Sequence, residues 1–174
     1  MPNYVTNRLT IIGEPEKTRE VVRFVSGRDT KFDFNKIIPE PQGLHERPET
    51  GPDPEWYKWR MKHWGVKWNA MDTSMSADGV IWFYTAWDGV GDTVVRSLSG
   101  RFPDVRLEYA WADEDVAYNC GEMVFLGGKI LSIHIPEGGS EDALGIYLML
   151  HPEHEGLFAF RNGAVTYTGY VTED

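Results

Sequence analysis

The stretch that decides the fold is GVIWFYTAW, residues 79–87, the most β-like run in the chain. Because it is rich in β-branched and aromatic residues and apolar on both faces, it predicts a central strand of a sheet. Residues 4–12, YVTNRLTII, and residues 104–112, DVRLEYAWA, alternate apolar and polar types and predict two further strands. We expect these segments, together with residues 117–126, to lie in one mainly antiparallel sheet.

Two helices are predicted between these strands. Residues 15–27 begin with Pro15, which suits a first helical turn, carry an apolar face, and end at Gly27 as the expected C′ residue. Residues 92–102 have apolar positions at helical spacing, with Asp92 as the expected N-cap. We expect both helices to cover the same face of the sheet.

The middle of the chain is more irregular. Residues 32–41, FDFNKIIPEP, predict a short extended piece closed by two prolines, and residues 42–55 predict an exposed loop insertion. A further helix is expected from Pro54 to Trp64, capped by Asp53 and stopped by Gly65.

Two dipeptides in the last third of the chain are hairpin-turn signals. Gly127-Gly128 joins residues 117–126 to 129–135, and Asn162-Gly163 joins residues 157–161 to 164–171. Between them, residues 140–150 are compatible either with a helix capped by Ser140 or with a strand. The element order predicts a two-layer α+β sandwich formed by a single domain over residues 1–174, with residues 132–174 as a C-terminal extension.

Composition places the chain among soluble globular proteins. It has 174 residues, of which 41% are apolar and 25% charged, enough for one well-buried core. Cys120 is the single cysteine, which excludes an internal disulfide. No apolar run approaches the length of a spanning helix, and the first residues do not resemble a signal peptide, so we expect a cytoplasmic protein without membrane contact.

Charge is unevenly distributed. The net charge is −10, with +2 carried by residues 1–70 and −12 by residues 71–174. An acidic surface repels phosphate backbones, which disfavours duplex nucleic acid. Solubility is the ordinary explanation of such acidic side chains, and the alternative is a basic protein partner or mimicry of nucleic acid. The candidate acidic surface residues are Asp88, Asp92, Asp113, Glu114 and Asp115.

The segment WYKWRMKHWGVKW, residues 56–68, interleaves aromatic and basic residues. Such a composition suits single-stranded nucleic acid, because bases stack on rings while cations hold phosphates. The structural alternative is that one face of this helix is core, with Lys58, Arg60 and Lys62 pointing outward; a third alternative is that the basic helix docks on the acidic half of its own chain. The candidate binding residues are Trp56, Lys58, Trp59, Arg60, Trp64, Lys67 and Trp68.

Catalytic and metal signals are weak. His151 and His154 lie in HPEHE, residues 151–155, where their spacing and the nearby carboxylates could hold zinc, although a solvated turn explains the same residues. Cys120 falls in a predicted strand, where a lone cysteine is usually a small buried apolar residue rather than a nucleophile. No hydrolase, NTPase or dinucleotide-binding motif is present in the sequence.

Several stretches resemble the YubB-like, ferredoxin-like family of uncharacterised proteins found on phages, plasmids and other bacterial mobile elements. The similar segments are MPNYVTNRLTI at the start, FDFNKIIPEP, WGVKWNA at 64–70, FYTAWDG at 83–89, and RFPDVRLEYAWADED followed by NCGEMVFLGG. The resemblance implies a ferredoxin-like α+β fold, and one cysteine excludes the iron–sulfur cluster that the fold name suggests. It implies no catalytic residues and no cofactor.

These patterns together favour binding over catalysis. The leading hypothesis is a non-enzymatic accessory protein of a mobile element that engages a host or element-encoded protein through its acidic surface, as an anti-defence protein or a nucleic-acid mimic. The alternatives are a single-stranded nucleic-acid-binding module using helix 54–68, and a small enzyme whose site residues are distant in sequence. The oligomeric state has no sequence signal.

Overall fold

The structure, a computed structural model, describes residues 3–46 and 51–169. Its strands are β1 (Tyr4–Ile12), β2 (Met71–Met75), β3 (Val80–Ala86), β4 (Arg106–Asp113), β5 (Cys120–Leu126), β6 (Lys129–His134), β7 (Phe158–Arg161) and β8 (Ala164–Tyr167). Its α-helices are α1 (Pro15–Val25), α2 (Phe34–Ile37), α3 (Glu55–His63), α4 (Arg96–Arg101) and α5 (Glu141–Leu150). No helix within the described residues has the length and apolar character needed to cross a membrane.

The main sheet has the strand order β2-β3-β1-β4-β5-β6, and every neighbouring pair is antiparallel. The chain order β1–α1–β2–β3–α4–β4 is the ferredoxin-like β-α-β-β-α-β arrangement. β5 and β6 extend that unit beyond β4, and β7 and β8 form a separate hairpin. The predicted α+β class, the antiparallel sheet and the C-terminal hairpin are therefore confirmed.

One face of the sheet is covered by α1 and by the segment that ends in α4. Val21 and Val25 of α1 share a continuous buried core with Leu98 of α4 and with Leu9 and Leu107 of the sheet. The side chains come from the apolar faces that the sequence places at helical and strand spacing. The prediction that these two helices cover the same face is confirmed.

The opposite face is partly covered by α5. Its residues pack against Ala110 and Ala112 of β4, where small side chains allow close approach. Ser140 caps this helix by accepting a hydrogen bond from the amide of Ala143, so residues 140–150 form the helix rather than the strand. The β7–β8 hairpin packs against α5, with Phe158 meeting the ring of Tyr147 edge-on.

Both predicted hairpin turns form. Gly127 and Gly128 have φ of 58° and 74°, and Asn162 and Gly163 have φ of 53° and 80°. Two successive positive φ values are what a type I′ turn requires, and glycine and asparagine adopt them at least cost. β8 ends at Tyr167, four residues after the turn; residues 170 and 171, predicted to continue it, lie outside the described residues.

The prediction of an extended piece at residues 32–41 is wrong at its centre, where α2 forms. Asp33 caps the helix by accepting from the amide of Asn35 at 3.0 Å. Asn69 then fixes the cap, because its amide donates to the Asp33 carboxylate and its carbonyl oxygen accepts from the amide of Phe34. This partner comes from a distant part of the chain, so the local sequence pattern does not reveal it.

Three predicted helix boundaries are also corrected. Gly27 is not a left-handed C′ residue; a Cβ there would lie 2.5 Å from a carboxylate oxygen of Asp33, so close approach explains the glycine. Asp53 does not cap α3, which follows Pro54 directly, whereas Gly65 ends the helix with a φ of 82° as expected. Asp92 caps nothing, because the chain enters its helix from Val90 through a π-helical turn.

Two further departures concern exposure and pairing. The loop predicted at residues 42–55 is exposed in part, but Leu44 is buried, and residues 47–50 lie outside the described part. β2 was not predicted, since MDTSM lacks β-branched apolar residues; it forms by pairing with β3 at the edge of the sheet.

Candidate functional site

Trp64, at the end of the aromatic helix, is fully buried. Its indole N–H donates to the carbonyl of Ile38 at 3.0 Å, and its ring meets Phe34 edge-on at 5.6 Å. A buried indole with its polar atom satisfied is a core residue. Trp64 is therefore not available to stack on a base.

Arg60 is held inside the protein rather than pointing outward, which corrects the prediction for this residue. Its guanidinium binds the Glu40 carboxylate with an Nε–Oε1 distance of 2.5 Å, and its side chain is only 16% exposed. The guanidinium also lies over the rings of Trp56 and Trp64, at 5.1 and 5.0 Å. The bidentate pairing with Glu40 occupies the guanidinium donors that a phosphate would need, and the two rings cover the guanidinium plane.

The contact with Arg60 changes the pKa of Glu40. Partial burial would raise the pKa of its carboxyl, but the hydrogen bond and charge of Arg60, helped by His45, outweigh that effect and lower the pKa. The pair therefore acts as a charged link between the loop after α2 and the aromatic helix.

The remaining aromatic residues of α3 are half-buried. Trp59 stacks on His63 at 4.5 Å and meets Trp64 edge-on, while Trp56 stacks on His45 at 5.9 Å. Lys58 and Lys62 are exposed, as expected. Trp rings paired with neighbours in this way form packing contacts, and the helix uses most of its aromatic surface on its own protein.

A smaller cation–aromatic group lies after α3. The Lys67 ammonium sits 4.7 Å from the ring centre of Trp68 and 5.7 Å from that of Trp87. Trp87 is 40% exposed, and its φ of 72° turns the chain sharply after β3. We call these three residues the Lys67 cluster.

The acidic residues of the predicted surface separate into two kinds. Asp113 is buried, which corrects its placement on the surface; its carboxylate accepts from the side-chain amides of Asn3 and Asn119 and from the amide of Asp115. It fixes the turn after β4 and is not available to a partner. Glu114 and Asp115 are exposed on that turn.

Asp88 and Asp92 lie at a groove beside β6. The groove has a volume of about 330 Å³, and its apolar lining includes Trp111 and Met123 from the sheet and Ile133 and Ile135 at the open side. These apolar residues face the helix-covered side of the sheet, as the pairing of Met123 with Ile133 shows. We call this feature the β6 groove.

β6 forms one edge of the main sheet, and all six of its residues are exposed. Ile133 in β6 is 54% exposed, and Ile135 directly after it is 61% exposed. The outer edge of β6 pairs with no other described strand. Leu131 is 53% exposed but falls at the register shift between β5 and β6, outside the groove lining. β6 thus combines an unpaired backbone edge with exposed aliphatic side chains.

A buried polar network holds the loop that carries Asp88. The Tyr109 hydroxyl donates to the Asn7 side-chain oxygen and accepts from the amide of Val90 at 2.8 Å. The Asn7 amide donates to the Thr85 hydroxyl, which donates to the carbonyl of Asp88 at 2.6 Å. Strands β1, β3 and β4 therefore fix the acidic rim of the groove through side-chain hydrogen bonds.

Two glycines of the same loop allow it to lie flat on the sheet. A Cβ at Gly89 would lie 2.6 Å from the Tyr109 hydroxyl, and one at Gly91 would lie 2.6 Å from the sulfur of Met123. Contacts this short have no room for a side chain, so the glycines permit the close approach. This is the physical reason for the glycines that follow FYTAW.

The two polar groups at the groove differ in their hydrogen bonding. Partial burial, and secondarily the charge of Asp113, raises the pKa of Asp88 although it accepts a hydrogen bond from the amide of Gly89. The indole N–H of Trp111, a residue only 8% exposed, has no hydrogen-bond partner within the described residues. Unsatisfied buried donors are uncommon in folded proteins.

The ion pairs observed across residues 3–46 and 51–169 each join side chains from the same part of the chain. Arg60 pairs with Glu40 and Lys58 with Glu55, whereas Arg96 pairs with Asp92. These contacts do not place the basic helix on the acidic half, as the third alternative for that helix required.

The structure places Cys120 in the small core beneath α5, with its sulfur 3.6 Å from the carbonyl of Ala143. Burial raises the pKa of its thiol to about 11, which disfavours the thiolate. His151 and His154 are brought together with Glu153 at the end of α5, while Glu155 is exposed.

The comparisons with known proteins bear on the fold. Residues 63–148 match the family model described as a ferredoxin-like domain in Api92-like protein, which is just under half of the chain. The matched segment runs from the end of α3 into α5 and contains β2 to β6, so it supports a ferredoxin-like family of uncharacterised proteins. No curated protein and no solved structure matches the chain.

The groove residues Ile133, Ile135, Met123 and Trp111 were not singled out from the sequence. A signal exists in KILSIHI, residues 129–135, where apolar residues predominate in a hairpin strand followed by Pro136. Sequence alternation identifies such a strand, but it does not tell whether another strand covers its outer edge.

Proposed function

We propose that this protein acts by binding, and that it binds an extended basic and apolar segment of a partner protein along the outer edge of β6. The single observation that carries the proposal is the exposed apolar edge strand beside an acid-rimmed groove. The segment would add a strand to the ferredoxin-like sheet.

The edge itself is the first argument. Sheet edges in soluble proteins are usually shielded by charge, proline or covering loops, because an open edge pairs with other chains. β6 has a lysine only at its start, and Ile130, Leu131 and Ile133 are exposed along it. A strand of this kind supports recognition by strand addition, in which backbone hydrogen bonds give affinity.

The groove supplies the second argument, which concerns the chemistry of the partner. Alternate side chains of an added strand point to one face of the sheet, where Ile133, Ile135 and Met123 offer apolar contact. Asp88 at the rim favours lysine or arginine in the same segment, whereas Asp92 already pairs with Arg96. The occupant is therefore basic as well as apolar.

The third argument is the charge of the whole chain. Residues 71–174 carry −12, and the observed ion pairs do not link them to the basic residues of the first part. An acidic field attracts basic segments such as those of DNA-binding proteins. Together with the resemblance to proteins of mobile elements, this supports a host or element-encoded partner, with the protein acting as an accessory or nucleic-acid mimic.

The test uses a displayed library of random peptides about ten residues long, enough for one added strand and its flanks. We expect selection on the full chain to enrich peptides that alternate aliphatic and basic residues. Ile133→Lys should abolish binding of the selected peptides, because it places a charge in the groove. Leu131→Lys is the matched control, since Leu131 has the same exposure on the same strand but does not line the groove.

Three outcomes would overturn the proposal. One is a failure to enrich any peptide family; another is equal loss of binding in Ile133→Lys and Leu131→Lys. The third is a stable dimer, seen by sedimentation, that Ile133→Lys converts to monomer, because β6 would then pair with a second copy of the chain.

Single-stranded nucleic acid is a second candidate, favoured by the Lys67 cluster. Its exposed Trp87 ring and the adjacent ammonium match the stacking and charge contacts of base-tolerant binding. The test is a titration with single-stranded DNA and RNA at two salt concentrations, using Trp87→Ala and Lys67→Ala. Salt-dependent binding lost in both variants would support this candidate, and binding that neither variant weakens would exclude the cluster.

A further inference from the structure

A second group of chemically active side chains lies at the end of α5, on the face of the sheet opposite the β6 groove. Helix α5 ends at Leu150, and a 3₁₀ turn over Pro152–His154 follows at once. This tight turn brings His151, Glu153 and His154 together, so that one ligand atom from each lies within 4.8 Å of the others.

The two imidazoles are held in place by neighbouring groups. The rings of His151 and His154 are 5.6 Å apart and nearly parallel, and both stack against the ring of Tyr147. The Tyr147 hydroxyl lies 2.8 Å from Nδ1 of His154, which leaves Nε2 of that ring for another partner. An imidazole oriented through one nitrogen and free at the other is the usual arrangement of a metal-ligating histidine.

His151 provides an independent observation. Its side chain is 13% exposed, and its Nδ1 lies 3.2 Å from the Glu153 carboxylate. Its Nε2 atom is buried and has no hydrogen-bond partner within the described residues. A hydrogen-bonded turn alone explains Nδ1, but it does not explain why the ring is buried with its second nitrogen unsatisfied.

We propose that His151, Glu153 and His154 bind a divalent transition-metal ion of the zinc class. Two imidazoles and one carboxylate are a ligand set that suits zinc, and cobalt(II) and nickel(II) accept the same donors. Ligand atoms around zinc lie roughly 3.5 Å apart, so the three groups move closer together when the ion binds. Glu153 can contribute to that movement because its side chain is 62% exposed.

This site is independent of strand addition at β6. His151 also lines a cavity of about 300 Å³ together with Tyr4, Tyr84 and Glu114. Of the three ligands, His151 alone lines this cavity, so the cavity borders the site at that residue. An ion with three protein ligands retains a position for water or a small ligand.

The experiment is a titration of the full chain with cobalt(II), followed by its visible absorption bands, with zinc(II) then used to displace it. We expect one equivalent to bind, and Glu153→Gln and His154→Ala each to weaken binding at least about tenfold. Glu153→Gln is the decisive variant, because an exposed side chain can be changed without unfolding the protein. His134→Ala is the matched control, since His134 is an exposed histidine that lies 3.9 Å from Asp142 and is not part of the three-residue group.

Binding of one ion that His134→Ala leaves intact and Glu153→Gln weakens would support the site. The absence of stoichiometric binding at millimolar cobalt or zinc would overturn it. Equal affinity in the parent and in both Glu153→Gln and His154→Ala, with the melting temperature of each metal-free variant unchanged, would overturn it as well.

Discussion

At the scale of single residues, Arg60 shows how a basic side chain in an aromatic segment can serve the fold. Its donors reach Glu40 and the carbonyl of Lys67, and its plane rests on Trp56 and Trp64. A guanidinium used in this way joins three parts of the chain. The same residue type in the same segment was a candidate phosphate contact, and only the position of Glu40 decides between the two roles.

Arg60→Ala should therefore destabilise the protein. The variant leaves the Glu40 carboxylate, 14% exposed, without its cation and removes the stacking contacts. We expect a loss of about 1–3 kcal/mol in the free energy of unfolding, measured with urea, which is the range for leaving a buried polar group without its partner. Lys62→Ala, an exposed change on the same helix, should alter stability by less than about 0.5 kcal/mol.

The loss of unfolding free energy caused by Arg60→Ala should also depend on pH. Because the pKa of Glu40 is lowered in the folded state, the pair stabilises the protein above the usual value of 4.5 and loses that contribution as pH falls through the folded pKa. The difference between parent and Arg60→Ala should be constant near neutral pH and shrink in acid. A difference that grows below pH 4.5 would contradict the assignment.

Trp64 and Trp87 separate the structural and exposed tryptophans of the central segment. Trp64 is fully buried, so Trp64→Ala should cost about 3–5 kcal/mol and lower the melting temperature sharply. Trp87 is 40% exposed, and Trp87→Ala should have a much smaller effect. Equal losses in thermal melts of the two variants would show that the burial assigned to Trp64 is wrong.

At the scale of elements, the loop after β3 is the part that joins the core to the β6 groove. Thr85 and Tyr109 hold it from two strands, and Gly89 and Gly91 let it lie against the sheet. The acidic rim is thus positioned by buried hydrogen bonds rather than by a flexible surface loop.

Tyr109→Phe should test this role of the network. The variant keeps the ring but removes the hydroxyl, leaving the Asn7 oxygen and the Val90 amide without their partner. Unfolding should become easier by about 1–3 kcal/mol, since buried groups lose their hydrogen bonds. Amide exchange of residues 88–92 should accelerate more than that of β1; unchanged exchange in this loop would contradict the network's positioning role.

The sequence predicted elements that depend on local chemistry. The dipeptides at residues 127–128 and 162–163 specify type I′ turns by themselves, and the strands 79–87 and 104–112 carry clear patterns. β2 was missed because its pairing with β3 and not its composition makes it a strand. α2 was missed because its cap is completed by Asn69, far along the chain.

At the scale of the whole molecule, the two faces of the ferredoxin-like sheet carry different side chains. The helix-covered face carries the main core and ends at the β6 groove, while the opposite face carries α5 and the histidine group. Lys17, Arg19 and Arg60 of the first part pair with carboxylates of that same part, and residues 71–174 carry a charge of −12.

That charge predicts how association should depend on salt. Peptides selected on the β6 groove should associate more slowly as salt increases, because screening over about 10 Å at 0.1 M weakens the attraction between an acidic surface and a basic segment. Dissociation should change less, since it depends on contacts inside the groove. Stopped-flow measurements at several salt concentrations test this; an association rate independent of salt would contradict electrostatic steering.

The candidate site was only partly accessible from the sequence. The sequence identifies Asp88 and Asp92 as acidic surface residues. It identifies Asp113 in the same way, but Asp113 is buried and hydrogen-bonded to the side-chain amides of Asn3 and Asn119. Ile133 and Ile135 looked like ordinary hairpin residues, because an alternating pattern carries no information on which strand ends the sheet. Edge position follows from the order of all strands, which is a property of the whole fold.

The most direct test of strand addition at β6 is amide hydrogen exchange of the full chain with and without a peptide selected on the groove. Strand addition predicts slower exchange along Lys129–His134 and in the loop at residues 88–92, because amides at the open edge gain hydrogen bonds. Exchange in the β7–β8 hairpin should not change. Protection confined to Glu55–His63 or to the end of α5, with β6 exchanging as fast as in the free protein, would contradict binding by strand addition.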